Sequence, residues 1–134
     1  MTVNGVPDMR ARLSTSSANY QVNVPMEVFF EFSNVGSTAT SGAITVYVYK
    51  PSVAGTFTVA APVGWSLTNT TNTYFAYTYT GVMQPNDSGI FTGTYTRTAT
   101  GTGTLQFRGV VVPGSGGETN NTNNSRTVAI TLIQ

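Results

Sequence analysis

From Met26 to Phe32 every second side chain is large and apolar: Met26, Val28, Phe30 and Phe32. Glu27, Glu31 and Ser33 take the opposite side, and Phe29 alone breaks the pattern. A period of two places each set on its own face of an extended chain, so the stretch reads as a half-buried β-strand. It starts after Pro25 and leaves through Ser33-Asn34-Val35-Gly36, a turn signal. Nowhere does the chain hold apolar residues at helical spacing for three turns. Its apolar side chains must therefore be buried by sheets, which need a second sheet or a closed barrel to cover them.

Similar segments recur between turn signals. Residues 8–13 alternate Met9, Ala11 and Leu13 against Arg10 and Arg12, as an edge strand with outward charges would. Residues 20–24 read as a short strand ending at Pro25. In 43–50, Ile44, Val46 and Val48 face inward, with Thr45, Tyr47 and Tyr49 outward. Residues 56–60 form a weaker strand. Trp65 follows Pro62-Val63-Gly64 in a loop, with 68–71 also loop. Residues 73–80 put Phe75, Tyr77 and Tyr79 on one face and Tyr74 on the other. After the 84–89 turn, residues 90–98 alternate Phe91, Gly93, Tyr95 and Arg97 with threonines. In 104–112, Leu105 and Phe107 share a face and Gly109 is a candidate bulge. A Gly/Asn-rich loop, 114–124, leads to the last strand, 125–133. About seven to nine short strands at near-regular spacing predict an all-β protein: an Ig-like antiparallel β-sandwich with Greek-key connections. One domain spans residues 1–134, with its core between about 7 and 132.

Composition narrows the function. Only 8% of the 134 residues are charged, and the formal net charge is +1. Threonine, present 24 times, supplies much of the polar surface. The six cations are scattered, so neither nucleic acid nor an anionic membrane is an expected partner. With no Cys and no His, thiol nucleophiles, disulfides, the usual zinc sites and the commonest general base are excluded. No apolar run reaches the length of a membrane span. The start, Met1 to Gly5, lacks a basic region and an apolar stretch, so the chain reads as a mature or excised piece with an added Met.

Three groups of residues are candidate sites. Glu118, Asn120 and Asn123, with Asn121 and Asn124, offer oxygen ligands for calcium. The set holds one carboxylate, and asparagines commonly serve turns, so turn chemistry is favoured and no metal or cofactor is expected. Tyr47, Tyr49, Tyr74 and Phe29 on outward faces, with Trp65, could form a ligand or partner surface. Aromatic platforms stack on sugars, whereas the simpler reading is cross-strand packing, with Trp65 plugging the core. Glu27 and Glu31 lie four apart on one strand face, too far along it for paired acid–base work. No enzyme is indicated.

Several motifs, in order, resemble a known family. They are Pro7-Asp8-Met9, the strand and turn Glu31 to Ser37, Gly64-Trp65-Ser66, Tyr77 to Gly81, Gln84 to Ser88, and Gly117-Glu118-Thr119-Asn120 followed by Asn123-Asn124. Together they are similar to the conserved-repeat domains found in tandem in bacterial cell-surface proteins, and to the related bacterial cell-adhesion-related domain. The resemblance runs from about Pro7 to Leu132; at Lys50 to Val53 the family's Asp-x-Leu-Pro segment is replaced. It implies an extracellular, surface-displayed, non-catalytic module: a spacer, adhesin repeat or fibre subunit. Its partners would be neighbouring domains or copies of itself; from the residues themselves, the edge strands 8–13 and 125–133, which lack Lys and Pro, are expected to join copies, and a carbohydrate-binding module is the alternative.

Overall fold

The computed structural model describes residues 6–16, 19–51, 53–98 and 100–132. Ile133 and residues 1–5, 17 and 18 lie outside the described residues. Ten strands follow in order: β1 Met9–Thr15, β2 Asn19–Tyr20, β3 Met26–Asn34, β4 Ile44–Tyr49, β5 Gly55–Ala60, β6 Trp65–Thr70, β7 Tyr74–Tyr79, β8 Ser88–Arg97, β9 Gly103–Val111 and β10 Ser125–Leu132. One three-residue 3₁₀ turn, Ser115–Gly117, interrupts the loop before β10.

The strands form a four-stranded sheet, β1-β3-β8-β5, and a six-stranded sheet, β2-β10-β9-β4-β7-β6. All pairings are antiparallel except the two-residue β2, which runs parallel to β10. Among the described residues only β6–β7 and β9–β10 are hairpins, since every other connection between these strands crosses between sheets. The sheet orders match the ABED and GFCC′C″ layers of an immunoglobulin domain. The path differs: after β4 the chain crosses to β5, then returns for the β6–β7 hairpin.

The alternation in β3 supplies the centre of the core. Val28, Phe30 and Phe32 are fully buried, as are Ile44, Val46 and Val48 of β4 and Leu105 and Val111 of β9. Phe91 bridges the layers, edge-on to Phe32 at 5.5 Å and tilted against Tyr77 at 4.8 Å. Each such ring contributes roughly 1.5–3 kcal/mol through burial. Gly93 makes room beside it: a Cβ there would come within 2.8 Å of the Phe57 ring and 3.1 Å of Phe30.

Four local expectations change. Of residues 20–24 only Tyr20 lies in a strand, β2, and Asn23 takes a left-handed conformation (φ 64°) that turns the chain. Trp65 opens a strand rather than sitting in a loop, and 68–70 continue it across a register shift between Leu67 and Asn69. Gly109 is not a bulge, since β9 and β10 keep register from Val110↔Ser125 to Gly103↔Leu132. A Cβ on Gly109 would lie 3.2–3.3 Å from Leu13, Phe32 and Phe30, so the glycine allows the sheets to approach. Ser33 is buried, not exposed: its register places it between Arg10 and Ser88 on the neighbouring strands.

Candidate functional site

The aromatic candidates separate into three places. Tyr47 and Tyr49 on β4 and Tyr74 on β7 meet on the outer face of the six-stranded sheet, because Tyr49↔Tyr74 and Tyr47↔Ala76 are cross-strand partners. Tyr47 lies 4.3 Å from Tyr74 at 35°, Tyr49 lies 5.5 Å from Tyr74 at 50°, and Tyr47 lies 6.4 Å from Tyr49 at 83°. The rings therefore pack on one another instead of presenting one coplanar platform. The Arg108 guanidinium covers Tyr49 at 5.2 Å. Tyr49, Lys50, Gln106, Arg108, Ser125 and Thr127 line a shallow groove beside the cluster. The Tyr47 hydroxyl titrates above its ordinary value, chiefly through burial and then through Tyr74.

Phe29 lies on the other sheet. No bulge turns it inward: it stays in register between Ser14 and Thr92, half-buried, in a depression shared with Leu13, Arg12, Glu31 and Ile90. Trp65 stacks on Tyr79 at 5.2 Å and stands edge-on to Phe91 at 5.1 Å. It is partly buried and packs against the core.

The Glu/Asn loop is also rearranged relative to expectation. Glu118 is only 5% exposed. Its Oε1 accepts a hydrogen bond from the Met9 N–H (3.0 Å) and its Oε2 one from Asn124 Nδ2 (2.5 Å). Burial raises its pKa, the hydrogen bonds from Asn124 and Met9 oppose that, and the nearby Asp8 charge adds to the rise. Asn120 turns away: its Oδ1 accepts from Thr122, and its Nδ2 donates to Asp8 Oδ2 (3.2 Å). The Asn123 carbonyl accepts the Ala11 N–H (3.1 Å). Glu118 and Asn123 thus cap the free side of β1. Of the expected trio, Glu118 is buried with Asn124, Asn120 bonds to the partly buried Asp8 beside them, and Asn123 gives its backbone carbonyl to β1. The sequence shows Asp8 next to Met9 at the start of a strand; that Glu118 binds the Met9 amide from 109 residues away is visible only in three dimensions.

Two edges stay open on the far side of the sandwich. Among the described residues, β5 pairs only with β8 and β6 only with β7. β6 is blunted by its register shift, where the Thr68 hydroxyl donates to the Ala76 carbonyl (3.2 Å). β5 has no register shift and no charged residue. Its Phe57 and Val59 pack against the core and are only partly buried.

No protein-family model matches the chain, and no curated protein gives a significant match. Among solved structures the chain is similar to the CARDB domain of PF1109 from the archaeon Pyrococcus furiosus. The crystal structure of that domain, in complex with di-metal ions, gives a TM-score of 0.64 at 18% identity over 96% of this chain and 90% of that one. Its solution structure gives 0.61 at 18% identity over 96% of each. A cohesin module from a Clostridium perfringens family 33 glycoside hydrolase gives 0.58 at 7% identity over 96% of this chain and 98% of that one. AvmM, which catalyses macrocyclization in alchivemycin A biosynthesis, gives 0.51 at 9% identity over 93% and 89%. A module of a glycoside hydrolase and a macrocyclization catalyst share this sandwich, so function has to be argued from the chain's own surface. What the likeness establishes is the fold: an Ig-like β-sandwich of the kind seen in the CARDB, or cell adhesion related, domain.

Proposed function

We propose that this chain is a non-catalytic extracellular module that works by strand-edge association, as a spacer, adhesin repeat or fibre subunit. The observation that carries the reading is β5: six residues, Gly55–Ala60, with no charge, no proline and no bulge, at the open edge of its sheet. An unpaired edge offers N–H and C=O groups to an added strand, and such a strand would also cover the exposed flanks of Phe57 and Val59. The expected association strands, 8–13 and 125–133, suit this less well. β1 has two amides capped by Glu118 and Asn123, and β10 carries β2 at its C-terminal end. Low charge weakens repulsion between copies.

The partner is a second copy of the chain or an adjoining domain. The test is light scattering across concentration, with Thr58→Lys as the variant. Thr58 is exposed on β5, so its replacement adds a charge to the edge and leaves the core alone. Wild type associates with rising concentration and Thr58→Lys stays monomeric. A wild type that stays monomeric, or a variant that associates equally well, rejects the reading.

Carbohydrate binding is the second reading, and the groove between Tyr49, Arg108, Lys50 and Gln106 is what favours it. The cationic and amide donors around the covered Tyr49 ring suit a single acidic sugar, held by charge-assisted hydrogen bonds, better than one stacked on an extended platform. A glycan array with Tyr49→Ala as control tests it, and binding that survives that change excludes this groove.

A further inference from the structure

We infer that Asp8, Glu118 and the side-chain carbonyl of Asn124 form a binding site for a hard divalent cation, calcium by its chemistry, which ties β1 to the loop before β10. The inference stands apart from the edge-association reading. Asp8 immediately precedes β1, and Glu118 and Asn124 belong to the loop that folds over it. The three are joined by direct contacts. Glu118 Oε1 takes the N–H of Met9, next to Asp8, and Glu118 Oε2 holds Asn124 Nδ2. Glu118 is buried and Asp8 partly so, and the charge of Asp8 acts unfavourably on Glu118. Among the described residues, no lysine or arginine hydrogen-bonds to either.

The independent observation is a set of stranded acceptors. Asn124 is 3% exposed. Its nitrogen is fixed on Glu118, yet its Oδ1 is buried and receives no hydrogen bond; the same is true of Asp8 Oδ1. Buried acceptors without donors are costly, and native proteins satisfy nearly all of them. Here the stranded atoms are a carboxylate oxygen and an amide oxygen beside a second carboxylate, which is a hard-cation ligand set. Asn123 Oδ1 is also stranded, but Asn123 lines a groove with Arg10, whose Nε is a buried donor without a partner. We leave Asn123 to that arginine. A cation at Asp8 and Glu118 offsets their mutual repulsion and occupies the free oxygens, with water and backbone carbonyls completing the shell. Calcium accepts such an irregular set, whereas magnesium demands near-ideal octahedral geometry. Two carboxylates place the site in the weak class typical of extracellular modules, with a Kd of about 10⁻⁴–10⁻³ M.

The test is calcium titration of the whole chain after chelator treatment, by calorimetry and by amide chemical shifts. The expected result is saturable one-to-one binding, with shifts concentrated at Asp8, Met9, Glu118 and Asn124. Asp8→Asn keeps the shape of the side chain and removes its charge, and should weaken binding at least about tenfold. Glu118→Gln serves as the second variant. Three outcomes overturn the inference: no saturable binding at millimolar calcium, as when water alone fills the corner; shifts centred elsewhere in the wild type; or unchanged affinity in Asp8→Asn. The shift map needs no variant, so the result is decisive even if a substitution fails to fold.

Discussion

Asn34 is the side chain on which most of the loop structure converges. It is fully buried. Its Oδ1 accepts the N–H groups of Asp8 (3.1 Å) and Gly36 (3.0 Å), and its Nδ2 donates to the carbonyls of Thr38 (2.9 Å) and Met83 (3.0 Å). One amide thus serves the start of β1, the turn after β3 and the chain before β8. Asn34→Ala strands these partners, and chemical denaturation should show a loss of about 3 kcal/mol. Asn72→Ala, at an exposed site, should stay within about 0.5 kcal/mol. Gly36 completes the turn, since a Cβ there would lie 2.2 Å from the Val6 carbonyl oxygen. The sequence marks Asn34-Val35-Gly36 as a turn. That the asparagine is buried and bonded on four sides is not legible, because its partners lie far apart in the chain. The tyrosines give a second residue-scale prediction. Burial raises the pKa of both Tyr47 and Tyr77 above the ordinary 10.0. The unfolded chain then loses its phenolic protons first, so stability falls as pH rises through about 10. Spectrophotometric titration should show late-ionising tyrosines that Tyr47→Phe and Tyr77→Phe each reduce.

At the scale of elements, legibility follows the strength of the alternation. β3, β4, β8 and β9 bury one face completely, and their inward residues follow from period two alone. β6 does not: Trp65-Ser66-Leu67-Thr68-Asn69-Thr70 has no repeating apolar face, and all but Trp65 is exposed. Its place is fixed by the partner strand and by Thr68, neither of which local pattern reveals. The tyrosine patch was half legible. The outward face was readable, but the mutual packing depends on a cross-strand register that sequence does not supply. Gly93 illustrates the reverse case, a residue whose reason lies wholly in packing. Gly93→Ala forces its methyl against Phe57 and Phe30, and thermal unfolding should report a cost of about 1–3 kcal/mol. An unchanged melting temperature would mean that β5 yields easily, which would weaken the case for β5 as a rigid docking edge.

For the whole molecule, the two sides of the sandwich differ. On one side β1 and β10 are closed by the Glu/Asn loop and by β2. On the other, β5 and β6 are bare and uncharged. Val63, fully exposed, and Leu67, 54% exposed, add apolar surface there. The proposed calcium corner would stiffen the closed side, while the open side carries the proposed docking edge. Amide hydrogen exchange at low and high protein concentration tests this division most directly. The account predicts that the β5 amides not bonded to β8 gain protection as concentration rises, with those of β1 and β10 unchanged. Protection gained on β1 or β10 instead, or β5 amides that exchange freely at every concentration, would contradict it.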